Sequence, residues 1–148
     1  MFLKNGRDYI ELKIVGYQYP DKLPRGDSFD DDANWLNLYC KKDIDGTFQE
    51  GIDPSLQTVD VERVVDLLQN YRDGNTNKIT FGGLEPNFWL HLNRTWRKEQ
   101  HKLTLFFWNE RGGEGYSAVK PFIKTIDDRE LGDILHFWQQ ALQKFPVR

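Results

Sequence analysis

The chain has 148 residues, 39% of them hydrophobic and 14% aromatic. Folding at this length removes roughly 70% of the unfolded surface from water, so a core forms without help from disulfides or metal. A net charge of -3 and a pI near 5.6 oppose a general phosphate-backbone binder, which concentrates Lys and Arg to displace counterions, and suit a basic partner better. No apolar run reaches the roughly 18 residues of a membrane span, and the opening MFLKNGRDYIEL lacks the apolar region of a secretory signal. Cys40 is the only cysteine and reads as a small buried hydrophobe. The expectation is one soluble domain in a reducing cytoplasm.

Residues 8–17, DYIELKIVGY, place Ile10, Leu12 and Ile14 on one face and Glu11 and Lys13 on the other, the alternation of a half-buried strand. QYPDKLPRGDSFDDD follows, with prolines, a glycine and aspartates that break a ladder and favour a loop. Strand pattern returns at Asn34 with Leu36, Leu38 and Cys40 inward, turns near Asp45-Gly46, and continues as a shorter strand around Phe48 to Ile52. Thr58 is a candidate cap for a helix whose apolar positions Val61, Val64, Val65, Leu68 and Tyr71 share one face, ending at Asp73-Gly74. Four strand-like stretches come next: NKITF, NFWLHLNRTW, HKLTLFFWNE and YSAVKPFIK. Their short connections force antiparallel neighbours. A last helix is capped by Asp127, with Glu130 completing a capping box and Ile126 stapled onto Leu131. Its apolar stripe runs through Leu131, Ile134, Leu135, Trp138, Ala141, Leu142 and Phe145 before Pro146 ends it. The result is an α+β fold, mainly an antiparallel sheet of about six to seven strands, curled or sandwich-like, with two amphipathic helices. The expected core includes Leu12, Ile14, Leu36, Leu38, Leu68, Leu90, Leu105 and Trp138.

The candidate sites are sparse. Asp30, Asp32 and Asn34 alternate like the start of an EF-hand loop, but Trp35 and Lys41 stand where that loop needs glycine and bidentate glutamate. No metal site is expected. His91, His101 and His136 occupy unrelated contexts, and there is no nucleophile elbow, phosphate-cradling loop or thiol beside a histidine. No catalysis and no cofactor are expected, with a small-molecule-binding or regulatory domain and a cryptic enzyme as the alternatives. The aromatic strands put Phe88, Leu90 and Leu92 opposite Trp89 and His91, and Leu103, Leu105 and Phe107 opposite Phe106 and Trp108. One reading is a sheet covered on both faces. The other is a partner surface anchored by Trp89, Arg94 and Trp108. Aromatics on a sheet also stack bases, but the acidic balance opposes direct nucleic-acid binding.

Three stretches carry a family resemblance: DYIELKIVGYQYP, DDANWLNL and DPSLQTVDVERVVDLL. Together they resemble the WapI-type immunity proteins of bacterial polymorphic toxin systems, most specifically in GYQYP at 16–20 and DANWL at 32–36. The chain departs from the family pattern in offering Phe48 where a tryptophan is expected. The resemblance implies a non-enzymatic cytoplasmic protein that binds and neutralises the toxic C-terminal domain of a cognate contact-delivered toxin, often a nuclease. On that view Asp27, Asp30, Asp31 and Asp32, with Phe29 among them, dock onto a cationic cleft. The alternative for these residues is a solvated turn.

Overall fold

The computed structural model describes residues 1–22, 32–85, 87–97, 99–107 and 120–148. Eight strands and two helices follow in the order β1 (Phe2–Asn5), β2 (Asp8–Tyr17), β3 (Trp35–Ile44), β4 (Thr47–Gln57), α1 (Thr58–Arg72), β5 (Lys78–Gly82), β6 (Phe88–Arg94), β7 (Gln100–Phe107), β8 (Phe122–Asp127) and α2 (Asp128–Lys144). All neighbours are antiparallel, in two sheets of order β1-β2-β3-β4 and β5-β6-β7-β8. The α+β class is as expected. The extra strand is β1, whose four residues are too few to show an alternation.

The inward faces of both sheets and of both helices meet in one apolar cluster. Every expected core residue lies in it, Leu12, Leu36, Leu38, Leu68, Leu90 and Trp138 being fully buried. The sheets come together where β8 lies beside β1 and β2, with the Asn5 amide donating to the Ile123 carbonyl at 2.9 Å. A buried lysine, Lys42, crosses the core from β3 and donates to the Phe107 carbonyl at 2.7 Å. Burial lowers its pKa, because the charged form is the one that loses hydration.

Several boundaries differ from the sequence reading for local reasons. Strand β4 does not stop at Ile52 but runs on to Gln57. It absorbs Ser55 in a bulge, since Leu36 pairs with Leu56 and Asn37 with Pro54. Pro54 fits because β4 is the sheet's edge, where a missing N–H is tolerated. Thr58 is not the cap of α1. Gln57 holds that position, its N–H donating to the Asp60 carboxylate at 3.0 Å, and the Thr58 hydroxyl goes to Asn34 instead. Strand β6 ends at Arg94, leaving Trp96 in the following turn, 85% exposed. The last predicted strand is described from Lys120; it begins at Phe122, after Pro121, and runs on to Asp127. Helix α2 starts as read, the Glu130 N–H donating to Asp127 at 2.8 Å. No helix among the described residues is long and apolar enough to cross a membrane.

Candidate partner-binding surface

Of the residues expected to meet a partner, Asp27, Phe29, Asp30, Asp31 and Trp108 lie outside the described residues. Asp32, Trp89 and Arg94 are described.

Asp32 opens a 3-10 turn over Asp32–Asn34, and its carboxylate meets the Lys22 ammonium at 2.5 Å. This ion pair joins the two chain segments that flank residues 23–31. A second tie lies further in, where the Gln18 N–H donates to the Trp35 carbonyl at 2.7 Å. The C-terminal residues complete the fastening. The Asn34 amide, fully buried, accepts from the Arg148 N–H at 2.8 Å and donates to the Arg148 carbonyl at 3.1 Å. Its oxygen also accepts from the Thr58 hydroxyl at 2.9 Å. The Arg148 guanidinium lies 3.8 Å from the centre of the Tyr17 ring and donates to the Pro20 carbonyl at 3.0 Å. The Tyr17 hydroxyl in turn donates to the Pro146 carbonyl at 2.5 Å, and burial raises its pKa. GYQYP and DANWL therefore meet in space, around the chain's last four residues. Sequence reading placed Asn34 at a strand start and gave Arg148 no role. Partners 114 positions apart leave no local signal.

Trp89 and Arg94 do not form one patch. They are five positions apart on a strand and so face opposite sides of β6. Trp89 is half-buried on the outer side, paired across to Phe106 and stacked on His91 with ring centres 6.3 Å apart. A Cβ on Gly82 would come within 3.0 Å of the Trp89 ring, so glycine there lets the indole lie flat over β5. His91 also shares a 3.0 Å hydrogen bond with the Thr80 hydroxyl. Arg94 points inward. It donates to the Tyr71 carbonyl at 2.7 Å and stacks over the Tyr71 ring at 5.2 Å, closing the C-terminal turn of α1.

Below Arg94 lies a group that the sequence reading missed. His101, fully buried, joins the Tyr71 hydroxyl through Nδ1 at 3.0 Å and Asp128 through Nε2 at 2.8 Å. A neutral imidazole satisfies all three, with Nε2–H donating to the carboxylate and Nδ1 accepting from the phenol. The order of groups resembles a relay, yet burial pushes the Tyr71 hydroxyl up to about 12, and its ring is fully buried. It links α1, β7 and α2 rather than offering a nucleophile. Cys40 is equally inert, its thiol pushed up to about 12 by burial. His136 is exposed on α2, beside the buried Leu135. Among the described residues no group of His, Cys, Asp or Glu has the arrangement to hold a metal ion.

No curated protein and no solved structure matches the chain. The Immunity protein WapI-like family matches it over residues 1–146. The two most specific motifs of the resemblance, GYQYP and DANWL, are also the two that the fold ties together around Tyr17, Asn34 and Trp35, and the chain belongs to that family.

Proposed function

We propose that this protein, with no catalysis of its own and no cofactor, binds the C-terminal toxic domain of a cognate contact-delivered toxin in the bacterial cytoplasm and blocks it. Family membership supports the immunity class. One structural observation supports the site: the segments on either side of residues 23–31 are fastened twice, by Gln18 with Trp35 and by Lys22 with Asp32. Fixing both ends of the stretch that carries Asp27, Asp30 and Asp31 lowers the entropy lost when those charges meet a partner.

The partner chemistry follows from the charge. A toxin domain that cleaves nucleic acid carries a cationic cleft, and carboxylates entering that cleft stand in for phosphates while speeding association. Phe29, Trp89 and Trp108 supply the aromatic contacts in this reading, and Arg94 supports α1 from inside. The test is co-expression of the toxin domain encoded by the neighbouring open reading frame, with and without this protein, followed by counting survivors. Survival only in its presence is the expected result. Equal killing in both cultures would overturn the reading.

A further inference from the structure

Strand β4 is one edge of the first sheet among the described residues, and its geometry shows which backbone groups face away from β3. The β3–β4 connection is Asp45-Gly46, with φ of 52° and 76°, the two positive values of a type I′ turn that closes a two-residue hairpin. The closing pair, Ile44 with Thr47, therefore exchanges both hydrogen bonds, and bonded pairs then alternate along the ladder. Thr47, Gln49, Gly51 and Asp53 bond to β3. Phe48, Glu50 and Ile52 turn their N–H and C=O groups to the open side, where no strand pairs among the described residues. The same three side chains stand exposed, Phe48 at 54% and Ile52 at 49%.

The open stretch is bounded. Beyond it Pro54 has no N–H, the Asn87 amide donates to Asp53 at 2.9 Å, and Gly83 sits so close to the Ser55 carbonyl that a Cβ would meet it at 2.9 Å. Charge then narrows the occupant. Of the outward-facing positions Phe48, Glu50 and Ile52 only Glu50 is charged; its carboxylate accepts from the Tyr39 hydroxyl at 2.8 Å and stands across from Lys41 of β3, whose ammonium lies over the Phe48 ring. A second copy pairing antiparallel about Glu50 would set that carboxylate directly against its own copy, and like charges opposite each other across a strand pair are destabilising.

We propose that the edge of β4 from Phe48 to Ile52 receives an extended segment of the toxin domain as an added antiparallel strand, with a basic side chain opposite Glu50 and apolar ones beside Phe48 and Ile52. Backbone pairing supplies the affinity and the alternate side chains supply the choice of partner. The proposal rests on the immunity reading, and its test separates the two. The probe is the toxin domain encoded beside the gene. Amide exchange of the Phe48, Glu50 and Ile52 N–H groups is fast in the free protein and slows about tenfold or more in the complex, whereas Thr47, Gln49 and Gly51 are slow in both. Glu50→Pro removes one outward N–H and no backbone bond to β3, losing besides it the 2.8 Å bond from the Tyr39 hydroxyl, so it weakens binding by about tenfold or more, while Glu50→Gln, which removes the charge but keeps an acceptor for Tyr39, weakens it by under about fivefold. A complex that forms and protects cells while those three amides stay fast would overturn the added strand and leave the immunity reading intact. A concentration-dependent dimer abolished by Glu50→Pro would assign the edge to self-pairing and overturn it as well. Failure of the parent protein to bind the toxin domain at all overturns both.

Discussion

Cys40 illustrates how one buried group sets a pH response. Its thiol ionises near 9.0 when free and near 12 in the fold, because burial disfavours the thiolate. With the folded pKa raised, the unfolded chain holds fewer protons between those values, so stability falls as pH rises from about 9 to 12. Cys40→Ala is expected to flatten that fall relative to the parent in urea unfolding at pH 8 and pH 10, and an identical slope would contradict the assignment. Tyr71 contributes in the same direction above its ordinary value of 10.0, and Lys42, with a lowered pKa, acts in the opposite sense below 10.5. Asn34 is the other residue with a sharp test. Its amide joins the Arg148 backbone and the Thr58 hydroxyl, so Asn34→Ala strands buried polar groups and costs about 1–3 kcal/mol. Equilibrium unfolding measures this, and a loss near zero would mean that these bonds contribute nothing. Asn34 and His101 were not legible as network residues in the sequence. Their partners lie on distant segments, and a single polar residue within an alternating strand looks the same whether it faces water or a buried amide.

Elements with strong periodicity were the ones most readable from sequence. Helix α2 follows the predicted stripe, and its capping box forms as read. Strand β2 spans the predicted residues. Departures occur where tertiary contacts override a local signal: Thr58 leaves its capping role for Asn34, and β4 passes through Pro54 because an edge tolerates the missing donor. The middle of α2 is where packing matters most. Trp138 is fully buried, with Phe88 and Phe137 rings centred 5.7 Å and 5.1 Å away. Trp138→Ala is expected to cost about 3–5 kcal/mol by removing this contact surface and leaving a cavity. A loss below about 1 kcal/mol, the range of surface changes, would be incompatible with that packing.

For the molecule as a whole, the fold unites two sheets and two helices in one core, and the family's specific motifs serve as fasteners at one end of it. The α+β class and most of the core were legible because hydrophobic period and turn residues are local signals. The proposed partner surface rests in the sequence only on charge and aromatic composition, since contact with another protein leaves no period in the chain. In the steering account, Asp30→Asn with Asp31→Asn lowers the association rate for the toxin domain and flattens its salt dependence while stability stays nearly unchanged. Rates equal to the parent at low salt would contradict steering by these carboxylates. The most direct test of neutralisation by binding is a titration of purified protein into purified toxin domain while following the toxin's activity. A stoichiometric inhibitor abolishes activity at one equivalent and leaves a proportional remainder below it. Full loss at a small fraction of an equivalent, as an enzyme acting on the toxin would produce, or no loss at any ratio, would contradict the account.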